Sequence, residues 1–219
     1  ARRFRNKIAL GQMQESERFA RDGLDSYQEM DDVDREKPFN RAIYLQMRAV
    51  VENSENILSE IKEIEMAGPL DRDVERTLFW TRLLLAGRYD YREAKVYFDG
   101  LMNQVIPSWK VEILYLFLSS MKNKKLVVHL AERLTRLPNL ESSMAKRTRI
   151  IWIEGLIDLG NSEEAYEQAR FFLTDYPTSG DAWRLLGRSA EDEGQLFEAD
   201  KAWGMVTKKT SPRQKIWWE

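Results

Sequence analysis

Three residue types recur along this chain with one step. Trp183 and Trp217 are 34 residues apart, Gly160 and Gly194 are 34 apart, and Ala131, Ala165 and Ala199 climb in two steps of 34. A shared period of this size constrains the fold more than composition does. It means that one supersecondary unit is repeated, and a unit so short cannot bury its apolar face without a neighbour. The prolines keep a similar beat, falling at Pro38, Pro69, Pro107, Pro138, Pro177 and Pro212. Each interval between them is wide enough for two helices and two turns.

Apolar residues within these intervals recur at helical spacing. Ile43, Met47, Val50 and Val51 make one stripe, Ile57, Leu58, Ile61 and Ile64 a second, and Leu126, Leu130, Leu134 and Leu137 a third. No stretch shows sustained alternation bounded by hairpin signals, so the chain reads as all-α. Start signals agree: Asn161 before "SEEAYEQARFFL", with Glu164 three residues on, predicts a helix N-cap and capping box. "MAGPLDRD" at 66–73 and "DYPTSGD" at 175–181 supply stops and fresh caps between helices.

The stretch 183–212 carries Trp183, Leu186, Gly187, Ala190, Gly194, Ala199, Trp203 and Pro212. This spacing resembles the tetratricopeptide repeat (TPR), with Ala190 in place of the usual tyrosine and the proline one residue late. The preceding unit keeps Gly160, Ala165 and Pro177 in register, but has Trp152 at the leucine position and lacks the tryptophan-leucine-glycine trio. "GRYDYREAKVYF" at 87–98 resembles the family's inter-helix turn and second helix, with Ala94 and Phe98 at the small and aromatic positions and a turn about two residues longer. "LGQMQESERFARDGL" at 10–24 resembles the same segment, with Ser16 where alanine is usual. The resemblance is strong over about 146–219 and weaker before.

It implies a right-handed superhelical solenoid of antiparallel helix pairs. One array over 1–219 is expected, with units near 1–30, 38–70, 71–107, 108–140, 141–179, 180–213 and 214–219. Gly187 and Ala199 are expected where the helices of a hairpin approach closely, and Trp183 and Trp203 between that hairpin and its neighbours. Both ends are expected to be cut within repeats, since the chain opens on Ala1, Gly11 reads as a turn glycine, and Trp217 begins a new unit.

Composition narrows the function classes. Lys+Arg and Asp+Glu stand at 34 against 36, and a net charge of −2 gives no general attraction to a polyanion. Nucleic acid is therefore not an expected partner, and the basic start "ARRFRNK" reads as a solvated helix face. Without cysteine there is no disulfide, thiolate metal site or thiol nucleophile. The single histidine, His129 in "LVVHLAERL", has no second histidine with which to bind a metal and reads as structural. No phosphate-cradling glycine loop occurs, and the acidic run "MDDVDRE" at 30–36 lacks the central glycine and terminal glutamate of a calcium loop. No catalytic group, cofactor or metal is expected. No apolar run approaches the ~20 residues that a membrane helix needs. Soluble character is expected, in either the cytoplasm or the periplasm.

What the resemblance implies instead is a non-enzymatic scaffold that holds a protein or peptide segment on the concave face, lined by the first helix of each hairpin. The family's groove positions fall on Arg147, Ile150, Glu154, Ile157 and Asp158, then on Asp181, Arg184, Arg188, Glu191 and Asp192, then on Lys215 and Trp218. Arginines there can pair bidentately with a partner carboxylate. The plainer alternative is that Arg184 and Arg188 answer nearby acids such as Asp181 and Glu191. Arginine at these places, with no asparagine, argues against a chaperone-tail clamp. Two further classes remain open: a spacer, self-association or regulatory module of a larger enzyme or envelope assembly, and, more remotely, an RNA-binding helical repeat.

Overall fold

The computed structural model describes residues 13–52, 56–88, 90–138 and 140–209. Gly11, Pro212, Lys215, Trp217, Trp218 and the expected helix at Ala1 lie outside the described residues. Among the described residues there are twelve helices and no strand. In chain order they are α1 (Met13–Gln28), α2 (Asp32–Arg35), α3 (Pro38–Val51), α4 (Asn56–Met66), α5 (Arg72–Ala86), α6 (Tyr91–Met102), α7 (Ser108–Leu118), α8 (Lys124–Thr135), α9 (Ser142–Asp158), α10 (Ser162–Asp175), α11 (Gly180–Asp192) and α12 (Leu196–Lys209). The five intervals from 38–70 to 180–213 thus hold two helices each. The acidic run at 30–36 forms the one-turn α2, whose N-cap Asp31 accepts from the Asp34 amide at 2.7 Å.

The fold divides into two compact units, 1–121 and 122–219. The division falls in the turn between α7 and α8, inside the interval 108–140.

In unit 1–121, α3 packs on α1, α4 and α5, and α5 packs in turn on α6 and α7. Ala42, Leu45, Ala49, Ile57, Ile61, Ile64, Val74, Leu78 and Leu85 form its main core. On α4 these include Ile57, Ile61 and Ile64 of the expected stripe, but α3 turns Ala42, Leu45 and Ala49 into this cluster, and of Ile43, Met47, Val50 and Val51 only Met47 and Val50 are buried. Tyr27 stacks on Tyr44 at 4.2 Å, fixing α1 to α3. Further along, Ala94 and Phe98 of α6 are fully buried, and Phe98 meets Phe117 of α7 at 6.2 Å. Arg88 reaches back over α3, donating to the carbonyl oxygens of Val50 and Glu52. A cation at that place answers carbonyls that a helix C-terminus leaves unpaired.

In unit 122–219, α9 packs on α8, α10 and α11, while α11 packs on α10 and α12. The alanine ladder is buried throughout: Ala131 and Ala165 at 0% exposure and Ala199 at 3%. Small side chains let neighbouring helices close up, and larger ones then fill the layers between. Leu130, Phe172 and Leu185 do this, each 0% exposed. Burying a side chain of that size contributes roughly 1.5–3 kcal/mol.

Gly160 and Gly194 close the turns after α9 and α11 in the same way. Both have left-handed backbones, φ 76° and 78°. In each case the next residue's amide reaches back into the helix, Asn161 to Leu156 O at 3.0 Å and Gln195 to Ala190 O at 2.8 Å. This is the Schellman closure that favours glycine at the left-handed position.

One local expectation changes. Asn161 makes no side-chain cap hydrogen bond to α10. Its backbone is committed to the Schellman closure of α9, so the side chain is not aimed at the amides of the next helix. Trp203 lies across its own hairpin, where a Cβ added to Gly187 would come within 2.8 Å of the indole, and its Nε1 donates to Glu191 at 2.9 Å.

Candidate partner-binding face

In unit 122–219 the expected groove positions lie on α9 and α11. Steps of three and four residues put Arg147, Ile150, Glu154 and Asp158 on one stripe of α9, and Asp181, Arg184, Arg188 and Glu191 on one stripe of α11. Because α9 and α11 pack together, the two stripes meet along part of their length. Arg184 Nη2 donates to Glu154 Oε1 at 2.7 Å, and Arg188 Nη2 donates to Asp158 Oδ1 at 3.1 Å. Each rung spans 30 residues of sequence, so the two pairs cross from one first helix to the next.

The arginines are therefore answered, though by Glu154 and Asp158 and not by Asp181 or Glu191. Glu191 instead takes the Trp203 indole hydrogen. Lys124, at the start of α8, joins the lower rung, its Nζ donating to the second Asp158 oxygen at 2.7 Å. Lys124 and Asp158 are 34 residues apart, one full period. Lys124 opens a second helix whereas Asp158 ends a first helix, so the offset does not mark equivalent positions and the first-helix groove positions do not include Lys124. Its ammonium, followed by the Arg188 guanidinium, holds the Asp158 carboxyl below the usual carboxylate range.

Both rungs remain open to water. Side-chain exposure is 27% at Arg184 and 44% at Arg188, against 38% at Glu154 and 32% at Asp158. Arg147, Asp181 and Asp192 are exposed, Ile150 is half-buried, and Ile157 is withdrawn into the core. Lys215 and Trp218 lie outside the described residues.

The second helices are joined separately, for Tyr166 of α10 donates its hydroxyl to Glu198 of α12 at 2.5 Å. Beside this link a cleft of about 460 Å³ opens between α10 and α12, lined among others by Arg170, Phe171, Trp183, Leu186 and Lys201. Trp183 Nε1 donates to Pro177 O at 3.0 Å, which ties the α11 start to the preceding turn. His129 is half-buried on α8.

Among the described residues no group of three or more His, Asp or Glu side chains is placed to hold a metal ion, and no helix is long and apolar enough to cross a membrane. Comparison with known proteins gives no match to a protein-family model, to a curated protein or to a solved structure.

Proposed function

We propose that the chain is a non-enzymatic protein-interaction scaffold of tetratricopeptide type, which takes an acidic protein or peptide segment along the first-helix face formed by α9 and α11. One observation carries the reading: the Glu154–Arg184 and Asp158–Arg188 rungs stand side by side on a water-exposed strip. Exposed ion pairs are worth about 0–1 kcal/mol, so an incoming carboxylate can exchange with either acid at little net cost. Arginine keeps its fork of donors in such an exchange. Arg147, exposed one turn before Ile150, extends the cationic positions along the strip.

The same rungs favour a second reading, a spacer in which the pairs only brace adjacent helices. The two part in one experiment. Random peptides displayed on phage are panned on the chain and on the Arg184→Gln/Arg188→Gln variant. The scaffold reading expects binders enriched in Asp and Glu that lose at least tenfold in affinity on the variant, with Asp71→Ala, in the other unit, as a control. Recovery of no acidic binder, or equal binding by the variant, leaves the spacer.

A further inference from the structure

A different face, in unit 1–121, combines aromatic rings and carboxylates around a cleft of about 530 Å³. The end of α4 contributes Glu65. One stripe of α5 contributes Glu75, Phe79 and Arg82, at steps of four and three. The first turn of α7 contributes Trp109 and Lys110. Phe79 and Trp109 meet edge to face, centroids 5.8 Å apart at 82°. The Lys110 ammonium sits over both rings, 5.2 Å from the Phe79 centroid and 5.3 Å from that of Trp109.

The charges in this cleft are not matched pairwise. Arg82 is held by Glu65 at 2.6 Å. Lys110 has no carboxylate within ion-pair distance among the described residues, and Glu75 has no cationic partner among them. The Lys110 ammonium is thus held by ring faces while a free carboxylate lines the same cleft. Ring faces attract cations, and the attraction grows where water is excluded. Phe79 is 6% exposed, so its ring is shielded wherever Lys110 covers it.

The geometry points to a binding site for an arginine side chain of a protein partner, with Lys110 as its built-in competitor. A guanidinium is flatter and less strongly hydrated than an ammonium, and it stacks on indole. On displacing Lys110 it gains the faces of Phe79 and Trp109 together with the Glu75 carboxylate. The volume lies within the range of cavities that enclose whole side chains and small ligands. An anion is the poorer fit, because Arg82 is already held by Glu65 and an anion that met Lys110 would also face Glu75 and two ring faces. This site shares no residue with the α9–α11 strip.

The test uses the whole chain and the blocked tripeptide Ac-Gly-Arg-Gly-NH2, followed through the Trp109 indole resonance. Its controls replace arginine by norleucine or by glutamate. Lys110→Ala is expected to tighten arginine-peptide binding about three- to tenfold by removing the internal cation, whereas Glu75→Gln weakens it about threefold. If Lys110→Ala does not fold, Lys110→Met makes the same test with its apolar stem kept over Phe79. Unchanged or weaker binding by the lysine variant overturns the proposal. So does norleucine or glutamate peptide binding as well as arginine, or no effect of Glu75→Gln.

Discussion

At the scale of single residues, two glycines of one hairpin do opposite work. Gly187 faces the Trp203 indole, and a Cβ there would stand 2.8 Å from Cε2, inside any normal contact. Gly204, on the partner helix, has nothing within 4 Å of an added Cβ. Gly187→Ala is therefore expected to destabilise the chain by about 1–3 kcal/mol through overpacking. Gly204→Ala should stabilise it by about 0.5–1 kcal/mol, because helical glycine carries an entropic penalty and no space is contested. Urea denaturation of the two variants checks both signs, and a stabilised Gly187→Ala would show that the indole does not press on α11. Asp158 gives a pH-dependent counterpart. Its carboxyl is held below its unfolded value, near 3.9, by Lys124 first and Arg188 second. Its contribution is complete above that unfolded value and disappears as pH falls through the folded one. Asp158→Asn should cost about 0.5–1 kcal/mol at pH 7, the scale of a screened pair, and the gap from the parent should close in strong acid. A gap independent of pH would assign the effect to packing.

At the scale of helices, the chain uses two ways of starting a new one. Asp71 accepts from the amides of Asp73 and Val74, both at 2.9 Å, and Asp90 accepts from Arg92 and Glu93 at 2.7 and 3.0 Å. Asn161 and Ser179 precede helices without any such bond. Asp71→Ala should cost about 0.5–2 kcal/mol, whereas Asn161→Ala should change thermal stability little, which melting curves compare directly. Equal losses would mean that Asn161 caps after all in solution. This difference also marks how far the sequence could be read. The helices and left-handed turn glycines were legible, because periodicity and the Gly160–Gly194 step express local backbone demands. So was the close pairing at Gly187, where only a glycine admits an indole. The cap at 161 was not legible, because Asn is favoured at several backbone sites and the preceding Schellman closure fixes its amide. The partners of Arg184 and Arg188 were not legible either. Acids close in sequence competed with Glu154 and Asp158, and only packing of α9 on α11 decides between them. Lys110 over Phe79 was hidden for the same reason, since the rings and the ammonium come from different helices.

At the scale of the whole chain, the boundary at 121–122 makes a claim about independence. In unit 122–219, α8 turns Leu126, Leu130, Ala131 and Leu134 inward, and Val128 packs against Gly155 of α9, where no side chain intervenes. α8 thus packs as part of that unit. Residues 122–219, produced alone, should be helical by circular dichroism and melt in one cooperative step. A broad, sloping melt would show that this unit borrows its stability from residues before 122.

The turns at Gly160 and Gly194 carry a consequence of another kind. Neither has an atom within 4 Å of an added L-Cβ, and both residues are exposed. The barrier to replacement is thus one of handedness and not of room, since an L side chain is strained at these torsions. A mirror-image residue prefers them. A semisynthetic chain with D-alanine at either turn should keep its fold and gain stability through the loss of glycine's freedom, while L-alanine at the same place loses it. The Gly160–Gly194 step is in this respect a pattern written in chirality, one that the genetically encoded residues spell best with glycine and next with asparagine.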